Sequence, residues 1–226
     1  MVEIELVIFD MDGTLYDLAD VVSMNYNMQI QFYSKCSGKR INSVIKEFED
    51  NSIYSFVTPR AKSATEYFSQ KGLDMEEWQK YREEHFDVTK IVKGKAVSNA
   101  VIRLFKETYV TLILTSNSYE NVKKVLEWLG ISEFNFDMII CSNFNYPYEV
   151  FCKKTAFKYI SQRFGIPFFH MLSIGDRYHT DVEPLIQLGG KGIIVNKPIA
   201  LELVANNMLS GELDTNSQGK EYCYFC

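Results

Sequence analysis

Leu6-Val7-Ile8-Phe9-Asp10-Met11-Asp12-Gly13-Thr14-Leu15 is the stretch from which the rest of the chain can be read. Four apolar residues run straight into a carboxylate, the pattern of a strand buried on both faces that delivers Asp10 to its carboxyl end. A second carboxylate, Asp12, follows two residues later, and Gly13-Thr14 ends the run. In an open α/β sheet, ligands bind beyond the carboxyl ends of the strands. Two acids gathered there repel one another unless a cation or a proton is shared between them. An isolated Asp-x-Asp-Gly also reads as a strand ending in a polar turn, so the remaining chain has to decide.

Working outward, residues 16–90 carry a helical pattern. Asp17 or Asp20 can cap a helix stopped near Ser37-Gly38, and further helices are expected over 41–48, 59–71 and 74–86. The many aromatics of this segment, Phe32, Tyr33, Phe68 and Trp78 among them, fit a small core of its own better than a ligand box. Beyond it, apolar strands at 110–114, 136–141, 170–174 and 192–195 alternate with helices through Val97 to Phe105, then over 121–129, 153–164 and 181–188. Such alternation implies a parallel, doubly wound α/β sheet with right-handed crossovers. The expected organisation is an α/β core of residues 1–15 and 91–210, a helical segment of 16–90, and a flexible tail of 211–226.

The rim of that sheet would collect Asp10 and Asp12, then Ser116 and Asn117, then Asp176. Taken singly, each has a plain structural role, since Ser-Asn-Ser can cap a helix and Gly-Asp can turn. Their order is more telling. Phe9-Asp10-Met11-Asp12-Gly13-Thr14-Leu15 resembles the first motif of the haloacid dehalogenase (HAD) superfamily, most of whose members are magnesium-dependent phosphatases. Leu112-Ile113-Leu114-Thr115-Ser116-Asn117 resembles the second motif, and Gly175-Asp176-Arg177-Tyr178-His179-Thr180-Asp181 the fourth. The third motif is a lysine, often followed by proline; Tyr146-Pro147 stands where that pair would be expected. Lys153-Lys154-Thr155-Ala156-Phe157 resembles the form used by other members. Lys153 is favoured over Lys154, because one of two adjacent helical residues usually faces solvent.

The resemblance implies a Rossmann-like core with an all-helical cap between the first and second motifs, the cap closing over the site and selecting substrate. It assigns Asp10 as nucleophile, through an aspartyl-phosphate, and Asp12 as the acid for the leaving oxygen and then the base for water. Mg²⁺, a hard ion preferring oxygen ligands, would be held by the Asp10 carboxylate, the Asp12 backbone carbonyl and Asp176, with Asp181 in its first or second shell. Ser116 and Lys153 would hold phosphoryl oxygens, supplemented by the amides near Met11 and Asn117, with Gly13 also in the substrate site. Arg60 is a candidate cap contact. Arg177 and His179 fit surface or gating roles, and His85 and His170 show no metal-ligand spacing. The acid at Asp12 argues against dehalogenation, because a halide leaves without a proton. A phosphomutase and a non-catalytic phosphate-binding regulator remain as other readings.

Composition sets outer bounds. At 226 residues the chain can bury a sizeable core, and 46% hydrophobic with 23% charged residues fits a globular protein. A net charge of -5 argues against a general nucleic-acid binder. No apolar run is long enough for a bilayer, and the first residues lack a signal-peptide layout. Five cysteines without framework spacing fit reduced thiols. Cys36, Cys141 and Cys152 read as small core or near-surface residues, and Cys223 with Cys226 only formally matches a C-x-x-C pair or a prenylation box. The expectation is a cytoplasmic monomer or homodimer whose partner is a small phosphorylated metabolite, with no nucleic acid and no membrane.

Overall fold

The computed structural model describes residues 3–53, 64–141, 145, 153–211 and 222–224. Arg60, Tyr146-Pro147, Cys152, Cys226 and the expected helix start near 59 lie outside them. The strands are Leu6–Phe9 (β1), Val110–Leu114 (β2), Met138–Ile140 (β3), Met171–Gly175 (β4), Lys191–Val195 (β5) and Tyr222–Tyr224 (β6). All pair in parallel, in the order β3-β2-β1-β4-β5-β6. The chain therefore winds outward from β1 on one side and then on the other, which makes the end of β1 the topological switch point.

The helices are Val22–Ser37 (α1), Ile41–Asp50 (α2), Ala64–Gln70 (α3), Met75–His85 (α4), Asn99–Thr108 (α5), Tyr119–Leu129 (α6), Lys153–Phe164 (α7), Glu183–Ile186 (α8) and Ala200–Ser210 (α9). Side-chain caps fix several starts: Asp74 accepts from the backbone of Glu76 and Glu77 before α4, Ser98 from Val101 before α5, and Ser118 from Asn121 before α6. The sheet is covered on both faces. Leu6, Ile8, Leu112, Leu114 and Ile140 pack with Ala156, Phe157 and Ile160 of α7. On the other face, Phe9 meets Phe105 of α5 edge-on at 5.0 Å between ring centres.

The chain divides into two compact units, Met1–Leu18 with Ile91–Cys226, and Ala19–Lys90. Tyr16, expected in the helical segment, belongs to the α/β unit, because the chain after Gly13 returns to form a bridge between Asp12 and Tyr16. Neither Asp17 nor Asp20 caps α1. A short 3-10 turn over Leu18–Asp20 intervenes, and Val21 holds the cap position without a side-chain bond. The region expected as a tail contributes β6, which pairs with β5 at the sheet edge. Its Tyr-Cys-Tyr sequence has the aromatic content that favours strands, and an unpaired parallel edge offers it a ladder. Among the described residues, no helix is long and apolar enough to cross a membrane.

Within the helical unit, Phe32 packs against Trp78 at 4.9 Å and Tyr33 stacks on Phe68 at 5.7 Å. The Glu47 carboxylate accepts from Tyr33 Oη at 2.8 Å, Tyr67 Oη at 2.7 Å and Lys39 Nζ at 2.5 Å. The aromatics form this unit's core, and Glu47 ties α1, α2 and α3 together through it.

Candidate active site

Strand register brings the site residues to one edge. Phe9 sits opposite Ile113 of β2 and Ile174 of β4, so the three strands end within one residue of each other. The Asp10 N–H continues the ladder by donating to the Ile174 carbonyl at 2.9 Å. The chain then turns sharply, with the Thr14 and Leu15 amides donating to the Met11 carbonyl. Gly13 adopts φ +86°, and a Cβ there would run into the Asp176 carboxylate. A Cβ on Gly175 would likewise collide with Asp181. Both glycines are therefore required for the loops after β1 and β4 to close around the acids.

Three carboxylates, Asp10, Asp176 and Asp181, offer oxygens within 4.8 Å of one another. Lys153, the first residue of α7, reaches between two of them, its Nζ 2.6 Å from Asp10 Oδ1 and 2.7 Å from Asp181 Oδ1. Its neighbour Lys154 faces outward and donates to Gln187. A π-helical turn over Tyr178–Val182 carries Asp181, where a plain helix from 181 was expected. That wider turn is held by Ser173 Oγ, which donates to the Asp181 carbonyl at 2.6 Å, and by the Arg177 amide, which donates to Asp181 Oδ2 at 2.9 Å.

The electrostatics follow from one lysine shared among three acids. The Asp10 carboxyl stands at about 7: burial raises it most, Lys153 pulls it down, and Asp181 and Asp12 push it up. Asp176 is also raised well above the ordinary carboxylate range, by burial first and then by Asp181 and Asp10. Burial disfavours the Lys153 ammonium, but Asp10 and Asp181 outweigh it and keep the lysine charged. All-oxygen donors carrying surplus negative charge, in a site that is closed to bulk water on most sides, fit a hard divalent cation.

Asp12 is held differently. Its Oδ1 accepts from the Tyr16 hydroxyl, and Asn117 Nδ2 lies 3.3 Å from Oδ1 and 3.2 Å from Oδ2. Asn117 is buried at the end of β2, and its backbone N–H donates to Thr115 Oγ1. Ser116 stands half-buried in the same turn. Asn121, in the first turn of α6, donates to Asn117 Oδ1 at 3.1 Å. Tyr16 and Asn121 were missed in the sequence, where the only signal was a hydroxyl four residues after Asp12 and a polar residue on an otherwise apolar helix face. Arg177 is exposed at the rim, His179 pairs with Glu183, and His170 bonds the Glu3 carbonyl, away from the acids.

The family model of haloacid dehalogenase-like hydrolases matches residues 4–189, and the chain belongs to that family. It is thus a HAD-type hydrolase with a Rossmann-like sheet. No curated protein sequence matches it. Among solved structures, it is similar to a HAD phosphatase from Thermococcus onnurineus, at 18% identity over 85% of this chain and 86% of that one, with a TM-score of 0.56. A predicted phosphoglycolate phosphatase from Haemophilus somnus aligns at 17% identity over 86% of each chain, with a TM-score of 0.53. A dehalogenase solved with an intermediate complex aligns at 12% identity over 86% of each chain, with a TM-score of 0.51. The fold is common to both chemistries, so it does not choose between them.

Proposed function

We propose that this hydrolase is a Mg²⁺-dependent phosphatase that acts on a small phosphorylated metabolite through an aspartyl-phosphate on Asp10. The observation that carries the reading is the pairing of Asp10, set among Asp176, Asp181 and Lys153, with a second acid, Asp12, held separately by Tyr16 and Asn117. A halide needs no proton when it leaves, whereas an alkoxide does. Two acids in two different settings suit a nucleophile and a proton donor.

In this reading an Asp10 oxygen attacks phosphorus as the bond to the leaving oxygen breaks, and Asp12 gives that oxygen its proton. Water then attacks the phosphorus of the phosphoaspartate and gives a proton to Asp12, and as the new phosphorus–oxygen bond forms the bond to Asp10 breaks and phosphate is released. Lys153 and the Ser116 hydroxyl hold phosphoryl oxygens against the repulsion of the acids. Asp10 and Asp176, with the Asp12 carbonyl, would hold the Mg²⁺; both Asp181 oxygens already accept hydrogen bonds, from Lys153, Thr180 and the Arg177 amide, which suits a supporting place. Bound there, the ion would supply positive charge to the phosphoryl group.

The helical unit is the cap in this scheme, and the chain works in the cytoplasm as a monomer or homodimer without nucleic-acid or membrane partners. The deciding experiment is a screen of phosphorylated metabolites with Mg²⁺ against an EDTA control. Phosphate release that EDTA abolishes supports the reading. Release from no phosphomonoester, together with halide release from a 2-haloacid, would replace it with dehalogenation.

A further inference from the structure

We infer that Tyr16 and Asn121 are positioning residues for Asp12, Tyr16 directly and Asn121 through Asn117, and that their effect scales with how much the leaving group needs a proton. The inference rests on the phosphatase reading above. The orientation of the Asn117 amide is fixed by chemistry. Its Oδ1 accepts from the Ser118 backbone N–H at 3.2 Å and from Asn121 Nδ2 at 3.1 Å. The Nδ2 must therefore be the atom turned toward Asp12, whose carboxylate can only accept. With Tyr16 bonded to Oδ1 and Nδ2 spanning both oxygens, rotation of the Asp12 side chain is blocked from two sides.

Neither residue is needed for packing in its polar form. Tyr16 is fully buried, and a phenylalanine would fill the same space; only the hydroxyl reaches Asp12. Asn121 is also fully buried, and its own Oδ1 has no hydrogen-bond partner among the described residues. Leaving a buried acceptor unsatisfied costs about 1–3 kcal/mol. The buried residues beside it on α6, Val122, Val125 and Leu126, are apolar. A polar residue that destabilises its own helix face while donating toward the proposed acid suits precise placement of that acid, to which proton transfer is sensitive.

The test uses Tyr16→Phe and Asn121→Ala in the full chain, with thermal melts to establish folding, on p-nitrophenyl phosphate and benzyl phosphate with Mg²⁺. The parameter kcat/KM reports the step that breaks the bond to the leaving oxygen, which needs Asp12's proton for the benzyl alkoxide and little of it for p-nitrophenolate. General acid catalysis contributes about 10²–10⁴-fold, so Tyr16→Phe should lower kcat/KM about 30-fold or more on benzyl phosphate and less than about 3-fold on p-nitrophenyl phosphate. Asn121→Ala should show the same asymmetry at smaller size. Equal losses on both substrates would mean a merely structural role and overturn the inference, as would wild-type values on both. If the wild-type protein releases phosphate from no phosphomonoester in the metabolite screen either, the phosphatase reading itself fails and this inference falls with it.

Discussion

Two carboxylate sites in this molecule, one in each unit, put acids beside a lysine to opposite effect. In the helical unit, burial pushes Glu47 up, but Lys39, Tyr67 and Tyr33 donate to it and together hold its carboxyl down at about 2. In the α/β unit, Asp10, Asp176 and Asp181 share Lys153, and Asp10 is driven up to about 7. The first cluster has more donors than charge, and the second has more charge than donors. A satisfied acid is a fastener; acids left in surplus mark a place where chemistry or a cation supplies what is missing.

The sharpest break in this comparison is Asp10→Asn. Hydrolysis should fall by at least about 10⁴-fold, while the metal-free protein, measured in EDTA at pH 8, should melt higher because one unfavourable charge is gone. The sign follows from linkage. Between 3.8 and about 7 the folded chain holds a proton on Asp10 that the unfolded chain releases, so the stability of the metal-free protein falls as pH rises through that window. A lower melting temperature for Asp10→Asn would mean that Asp10 is a fastener like Glu47.

Next in size is removal of the lysine from each cluster. Lys153→Met strands two buried carboxylates and should destabilise the metal-free protein by about 3–5 kcal/mol near neutral pH, with the loss shrinking at pH 5 as Asp10 takes up a proton. Lys39→Met should leave stability near wild type, since Lys39 is largely exposed and both tyrosines remain on Glu47. Equal losses by urea titration would erase the distinction between the clusters.

How far all this was legible in the sequence depends on how local the cause is. β1 and its two acids could be read because a buried parallel strand is a continuous apolar run, and register carries whatever follows it to the sheet edge. Helix geometry led to the expectation that only one of Lys153 and Lys154 turns inward, and it is Lys153 that bonds Asp10 and Asp181. The bond from Asn117 to Asp12 could not be read, because it joins loops that meet only once β1 and β2 are paired; the one from Tyr16 depends on the sharp turn through Gly13 that brings the chain back to Asp12. The π-helical turn around Asp181 was equally hidden, since it depends on Ser173 and the Arg177 amide gripping the same residue. At α1 a local rule was overridden: two aspartates were available as caps, yet the 3-10 turn at Leu18–Asp20 moved the helix start to Val22.

The smallest expected effect concerns the fastener itself. Glu47→Gln keeps the shape but removes the charge that three donors favour. Because the Glu47 carboxyl is lowered from 4.5 to about 2 on folding, its stabilisation is fully present above about pH 4.5 and is lost as pH falls toward 2. The variant should be less stable by about 2 kcal/mol at pH 7, and the gap should close in acid because the wild type weakens, not because the variant improves. The chain has two tryptophans, and Trp78 is buried in the helical unit, so its fluorescence in a Trp128→Phe background follows that unit alone during urea unfolding. A gap that stays constant from pH 7 to pH 3 would show that the side chain matters there for its shape, and that the charge balance separating the two clusters does not hold the helical unit together.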